Sequence, residues 1–483
     1  MQNVACPSCG APVQFRSHAS VMAVCEYCKT TVLKDADSVK DLGKMSDVLE
    51  DYSPIQIGTT GLFGGRVFNV IGRIQLRYAA GLWNEWAILF DDGAAAWLSD
   101  SSGLYTLTTE RPADAQLPTF EQLQPGQSYP ISGQSFIVAE IRNADCIGGQ
   151  GELPFKIGQG WRIRVADFRC HSSFLTLDYS DSELPKVYAG QAVTLDGLQC
   201  QMLRDESQIK EGASKFKGKI DALDCPSCGS SIKYLPGMTS HLVCPSCHAQ
   251  IEAAGPTAQV LAAGERMAQV STTLELGATA KIDNRDYQLI GLMKRRDDEN
   301  TGWIEYLLYN AQAGFLWLVE TDDGWARAKV LDSWPSWVQH SDTAKLGDRA
   351  FNKLYEYQAT VEFAAGAFNW RVSAGDTNRV VEFENGKSKL AAEMTANELT
   401  WSLSLPVAAD QIRAWFGQTV AADKNSGADE EKSLASRFMM WLLGLNAIPL
   451  IFSFGNTWLF IAFALAAIYF PAKYIESLGE TEK

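Results

Sequence analysis

Basic residues are in the minority along this chain. Its 483 residues carry 42 lysines and arginines against 57 acidic residues, a net charge of −15. Phosphate backbones are held by clustered lysine and arginine. No basic stripe is present, so nucleic acid is not an expected partner. Two short basic runs, Lys210–Lys219 and Lys294–Arg296, read as solvated loops; the second is followed at once by Asp297-Asp298-Glu299. Histidine is scarcer, with five in all: His18, His171, His241, His248 and His340. His171 and His340 have no carboxylate or nucleophile at a telling spacing. No G-x-S-x-G, GK[ST] phosphate loop, H-E-x-x-H or helix-opening G-x-G-x-x-G occurs. The run Gly61-Leu62-Phe63-Gly64-Gly65 lacks a lysine and a following helix, and reads as a hairpin turn. These absences predict a non-enzymatic protein with no catalytic residues. A secretory leader is lacking too, since Met1 is followed by polar residues and Cys6. The expectation is a reducing compartment, where thiols stay unpaired.

What the chain does contain is cysteine in two quartets. Cys6-Pro7-Ser8-Cys9 is followed by Cys25-Glu26-Tyr27-Cys28, and Cys225-Pro226-Ser227-Cys228 by Cys244-Pro245-Ser246-Cys247. Both read C-x2-C-x15-C-x2-C, the pattern of a four-thiolate zinc ribbon. Four protein ligands fill a tetrahedron, so two structural Zn2+ ions are expected and no cofactor beyond them. Gly10 and Gly229, each just past a first knuckle, suit a turn with positive φ. Cys146, Cys170 and Cys200 match no ribbon spacing and read as buried free thiols; the alternative is a third metal site with His171.

The quartets begin 219 residues apart, from Cys6 to Cys225, and the offset continues beyond them. Arg66 falls on Arg285, Phe68 on Tyr287 and Ile71-Gly72 on Ile290-Gly291. After one inserted residue Glu85 falls on Glu305 and Trp97-Leu98 on Trp317-Leu318. After net deletions Gly151 falls on Gly366, Val165 on Val380 and Phe168 on Phe383. Each copy is built of short stretches rich in β-branched and aromatic residues, separated by turn signals such as Asp91-Asp92-Gly93 and Asp322-Asp323-Gly324. The predicted fold is mainly β and multidomain. It comprises two zinc ribbons, two duplicated β-sheet or small-barrel domains of six to ten strands each, and a C-terminal helical hairpin.

The expected order is ribbon 1 at 1–35, a connecting helix at 36–52, β-domain 1 at 53–204 and a linker at 205–223. Ribbon 2 follows at 224–254, then a helix at 255–271, β-domain 2 at 272–418, a tether at 419–436, the hairpin at 437–474 and a tail at 475–483. The first connecting helix is inferred from Val39, Leu42, Val48 and Leu49.

The layout resembles a bacterial domain-of-unknown-function family, the one numbered four-one-seven-eight. The residues carrying the resemblance are Ile71-Gly72, Ile290-Gly291, Gly151-Glu152-Leu153-Pro154-Phe155 and Glu398-Leu399-Thr400-Trp401. It implies a β-rich domain behind an N-terminal zinc ribbon, in tandem. It implies no activity, and company with membrane-stress and polyamine-related proteins.

From Phe438 to Phe470 no charge occurs over 33 residues, with Asn446, Pro449 and Gly455-Asn456 inside the stretch. This predicts two short transmembrane helices with a tight turn, one kinked span being the variant. Lys424, Lys432, Arg437, Lys473 and Lys483 flank the stretch and none lies in the turn. Both ends should therefore face the cytoplasm of a bacterial inner membrane. Together these features predict a membrane-anchored scaffold that binds protein partners through duplicated modules; Trp83, Trp334 and Trp337 are candidate contact anchors if exposed, core positions being the commoner fate of such residues. The alternatives are a sensor of a small cationic ligand such as a polyamine, and an enzyme with an unrecognised site in a β-domain.

Overall fold

The computed structural model describes residues 2–17, 20–35, 38–44, 53–79, 81–101, 103–113, 117–155, 161–205, 223–232, 241–252, 259–262, 272–310 and 313–417. The expected hairpin at 437–474, the tether, the tail and most of the linker lie outside these residues. Among the described residues no helix is long and apolar enough to cross a membrane.

The chain is mainly β, and each copy closes eight antiparallel strands on themselves. In the first copy β1 (Arg66–Tyr78), β2 (Gly81–Phe90), β3 (Ala95–Ser101) and β4 (Leu104–Arg111) form one meander. A second is formed by β5 (Gln134–Leu153), β6 (Arg162–Cys170), β7 (Ser173–Asp178) and β8 (Lys186–Val193). β4 pairs with β8 and β1 pairs with β5, which completes the ring. The second copy repeats the plan. Its strands are β9 (Arg285–Arg296), β10 (Gly302–Asn310), β11 (Gly314–Thr321), β12 (Gly324–Val330), β13 (Arg349–Phe368), β14 (Thr377–Asn385), β15 (Ser388–Met394) and β16 (Leu399–Val407). Its closing pairs are β12 with β16 and β9 with β13. The expected hairpin at Gly61–Gly65 is present: Thr60–Phe63 pairs with the start of β1 across Gly64-Gly65.

The β1–β5 seam explains the glycines that the two copies share. A Cβ on Gly72 would stand 1.9 Å from the Glu152 carbonyl oxygen, and one on Gly151 2.3 Å from that of Ile71. Gly151 also has φ of +66°. In the second barrel Gly366, at φ +94°, would put a Cβ 2.4 Å from the Ile290 oxygen. Only glycine lets the two backbones approach this closely.

Both faces of the barrel sheets are covered. Outside the first meander Phe68, Trp86, Ile88 and Leu98 pack against Ile55 and Leu195. Outside the second, Val138, Phe168 and Leu177 pack against Leu123 and Ile131. Burying a large side chain of this kind contributes roughly 1.5–3 kcal/mol. Within the barrel, Ile74, Leu76, Trp83, Ile163 and Val165 join Met22 and Val24 in an apolar plug at one end.

The four-cysteine segments extend the barrel sheets. Met22–Val24 pairs with Gly151–Leu153 of β5, and His241–Val243 pairs with Gly366–Phe368 of β13. The Glu152 carboxylate fixes the first junction. It accepts the backbone N–H groups of Arg16 at 2.6 Å and Ser17 at 3.1 Å, and the Ser20 hydroxyl at 2.9 Å.

The connecting helices expected at 36–52 and 255–271 need correction in their described parts, 38–44 and 259–262; the rest of both ranges lies outside the described residues. Ser38–Lys44 is a strand paired with Thr30–Asp35, and Gln259–Ala262 is a strand paired with Gln250–Glu252. The open edge left by each preceding strand offers a ladder of backbone partners, which outweighs the helical spacing of Val39 and Leu42. Among the described residues an α-helix forms at α1 (Ala409–Phe416), and it buries Ile412 and Phe416.

Candidate functional site

The two cysteine quartets come together as their spacing predicts. In each, all four Sγ atoms lie within 4.8 Å of one another. Cys6 and Cys28 are 3.6 Å apart; the pairs Cys9–Cys25, Cys225–Cys247 and Cys228–Cys244 are each 3.7 Å apart. The residue after each knuckle has positive φ: Gly10 at +79°, Lys29 at +61°, Gly229 at +76° and His248 at +56°. The two glycines are as expected, whereas Lys29 and His248 take the same turn without glycine. Each cluster can hold a metal ion. Cys146, Cys170 and Cys200 are half-buried thiols. Burial pushes Cys146 and Cys200 up to about 11, so they are poor nucleophiles at neutral pH.

The first barrel has a cavity of about 200 Å³ in its interior, to which all eight strands contribute. Glu85 on β2 is its chemical centre. The Trp83 indole donates to Glu85 Oε1 at 2.9 Å and the Ser99 hydroxyl to Oε2 at 2.5 Å. No ion pair reaches it among the described residues. Burial pushes its pKa up to about 7, against the pull of those two hydrogen bonds. Burial also raises Asp167, which accepts the Thr176 hydroxyl at 2.7 Å. Arg142 lies 4.9 Å from the Trp83 ring and 4.5 Å from that of Tyr78, and is paired with Glu140. The lining contains five carboxylates, Glu85, Glu140, Asp167, Asp178 and Glu398, against two guanidiniums, Arg142 and Arg169.

The second barrel caps this cavity. Val330, Leu331, Trp334, Glu398, Leu399 and Thr400 complete its wall. Backbone hydrogen bonds from Ile141 to Asn397 (2.9 Å) and from Trp334 to His171 (3.0 Å) hold the barrels together. His171 Nε2 and Ser336 Oγ add a contact at 2.6 Å.

Inside the second barrel the same Trp-x-Glu pair recurs, with Trp303 donating to Glu305 at 2.6 Å. Here a cation from the chain itself is present. Arg295 Nη1 stands 3.0 Å from Glu305 and 3.1 Å from Glu393, and Nη2 bonds Asn378. Burial opposes its charge, yet the two glutamates more than offset this and raise its pKa. Tyr357 donates to Glu382 at 2.7 Å. A larger cavity of about 1840 Å³ runs from this interior into the crevice between the barrels; there the charge of Arg295 is met by Glu305 and Glu393, while its Nε has no hydrogen-bond partner.

Two expectations fail in this region. Trp83, Trp334 and Trp337 are 5%, 5% and 6% exposed, so they are core residues and not contact anchors. Lys294–Arg296 is no solvated loop but the end of β9, with Arg295 only 4% exposed. Neither the barrel interior nor its carboxylates were foreseen. The available signal was a Trp two residues before a Glu at matching places in both copies, Trp83-Asn84-Glu85 and Trp303-Ile304-Glu305.

Fold and site together define a tandem β-barrel protein, each barrel joined through one sheet to a four-cysteine cluster. The chain belongs to the family described as Domain of unknown function (DUF4178), whose model matches it twice, over residues 56–195 and 275–409. Each match covers one barrel. No curated protein and no solved structure matches it.

Proposed function

We propose that this protein binds a small organic ligand bearing a positively charged nitrogen inside its first barrel, with the second barrel as cap. The observation that carries the reading is Glu85. It is a buried carboxylate held by two neutral donors, in a cavity lined by tryptophan rings where acids outnumber bases. Aromatic faces and carboxylates together are what an ammonium group seeks when it leaves water. In the second barrel Arg295 fills that role from within, which makes that barrel the structural partner. The protein acts by binding and not by catalysis.

Each cysteine cluster holds structural zinc in this reading. Zn–S bonds of about 2.3 Å put the sulfurs of a tetrahedron about 3.8 Å apart, close to the 3.6 and 3.7 Å observed. The metal supplies folding free energy, and its four thiolates leave no position for a substrate. A scaffold for protein partners at a membrane is less supported, because its tryptophan anchors are buried.

A thermal-shift series on the full chain with putrescine, cadaverine and spermidine tests the proposal, since a ligand of the folded state alone raises the melting temperature. The expected outcome is an upward shift with at least one amine that Glu85→Gln removes. No shift with any of them up to millimolar concentration sinks the reading.

A further inference from the structure

We infer that the ligand of the first barrel also carries a carboxylate, received by Arg169, so that the site takes a zwitterion of the amino-acid class. This rests on the amine-binding reading above and names the other end of the same ligand.

Two donors carry the inference. Arg169 Nη1 is shut away from water and has no hydrogen-bond partner. The same holds for Thr106 Oγ1, on a residue 4% exposed. Both side chains line the cavity that contains Glu85. Buried polar groups are nearly always hydrogen-bonded, and a buried charge without a partner is costly. Two unmet donors in one cavity call for acceptors from a ligand, and the charged one, Arg169, calls for an anion.

The protein's own acids do not fill that place. Asp167 and Asp332 attract Arg169 through space, but Asp167 accepts from Thr176 and neither bonds the guanidinium. The Arg169 guanidinium carbon lies 4.5 Å from the centre of the Phe174 ring. Such packing engages a guanidinium face and leaves its in-plane N–H fork for a carboxylate.

The placement suits the two ends of one small molecule. Arg169 is on β6 and Glu85 on β2, with β1 and β5 between them the short way round the ring. Arg169 and Glu85 thus stand on different walls, while Thr106 on β4 shares a row with Ser99 and Glu85 and meets the ligand between its two ends. A cavity of about 200 Å³ holds the volume of about six or seven waters at ~30 Å³ each, which suits a ligand of amino-acid size. The second barrel has neither donor. Register places Glu384 opposite Asn352 where the first barrel has Arg169 opposite Ile137, and Ala326 opposite Val319 where the first has Thr106 opposite Ser99.

Lysine and cadaverine make a matched pair of probes, differing only by the α-carboxylate. In calorimetric titrations of the full chain, lysine should bind at least about tenfold tighter, the scale of one charge-assisted bidentate contact. Arg169→Gln should erase the preference for lysine over cadaverine without weakening cadaverine. Arg169→Lys should recover part of the preference, and Glu85→Gln should weaken both ligands. Comparison of the two ligands on the unaltered protein holds even where a variant folds poorly. Equal affinity for lysine and cadaverine overturns the carboxylate end and leaves amine binding standing. Failure of both to bind overturns the amine reading itself.

Discussion

Arg295 faces Trp303 across the β9–β10 ladder in the second barrel, and at the matching position of the first barrel Leu76 faces Trp83. This substitution decides whether the Trp-x-Glu pair has a counter-charge beside it. Where Arg295 stands, the carboxylates of Glu305 and Glu393 have a fixed counter-charge. Where Leu76 stands, Glu85 has no ion-pair partner among the described residues. Two copies of one fold have in this way acquired one interior with a fixed counter-charge and one without.

Arg295→Leu should therefore be among the most damaging changes in the second barrel. It strips the counter-charge from the buried Glu305 and the partly exposed Glu393, and breaking a buried pair costs about 3–5 kcal/mol. Adding Glu305→Leu should recover a large part of the loss, because the worst uncompensated charge goes with it. Urea unfolding of the single and double variants checks both statements. A double variant no more stable than the single one would show that packing, not charge, explains the cost.

The pH dependence of stability should carry the mark of Glu85. Its folded pKa of about 7 lies above the ordinary carboxyl value. The folded state thus holds a proton that the unfolded chain has already released between about pH 5 and 7. This contribution is fully present below about pH 4 and is lost as pH rises through 7. It amounts to at most about 3 kcal/mol, at ~1.4 kcal/mol for each tenfold difference in proton affinity between the folded and unfolded chain. Glu85→Gln should flatten the melting-temperature profile between pH 5 and 8. Ligand affinity should run the other way and rise over the same interval, as the carboxylate that meets the ammonium becomes charged. A variant whose profile overlays that of the parent protein refutes the assignment.

What the sequence discloses follows from the range of the forces involved. The cysteine quartets were legible because thiolate spacing within some 20 residues decides the chemistry. The repeat was legible because Ile71-Gly72, Gly151 and their counterparts recur at nearly fixed offsets. Ring closure was not, since it depends on β1 meeting β5 and β4 meeting β8, contacts without a local signature. The interior was hidden for another reason. On β2, Trp83, Ala87 and Leu89 point to one side and Trp86, Ile88 and Phe90 to the other. With both faces apolar, alternation cannot say which side is the cavity, and Glu85 passes for a register mark. Val39 and Leu42 misled because the edge of Thr30–Asp35 offered a strand partner that helical spacing does not reveal.

Two glycine replacements should separate conformational strain from collision. Gly10 has φ of +79°, and a Cβ placed on it would meet nothing within 4 Å. Gly10→Ala therefore carries the backbone strain alone, about 1 kcal/mol. Gly151 has φ of +66° and would drive its Cβ to 2.3 Å from the Ile71 oxygen. Gly151→Ala must part the β1–β5 seam or fail to fold, and should cost more than about 3 kcal/mol, in the range of severe core defects. Soluble yield and melting temperature of the two variants give the comparison. Equal losses would mean that the seam yields easily and is not what closes the barrel.

Removal of one metal should report on how ribbon and barrel are joined. Cys25 and Cys28 belong to the first cluster only, so replacing both with serine should lower bound zinc from two equivalents to one, as read by elemental analysis. The effect should also travel. Met22–Val24 leads into Cys25 and pairs with Gly151–Leu153, where Gly151 also meets Gly72 of β1. Loss of the staple frees the strand that covers the end of β5, and Glu152 loses the segment that supplies its three donors. Amide exchange should then rise at Gly151–Leu153 and along the adjoining part of β1, while β9 and β13 of the second barrel keep their protection. Faster exchange confined to residues 2–35 would mean that the ribbon folds independently of the barrel. An unchanged zinc content would remove the first cluster as a metal site altogether.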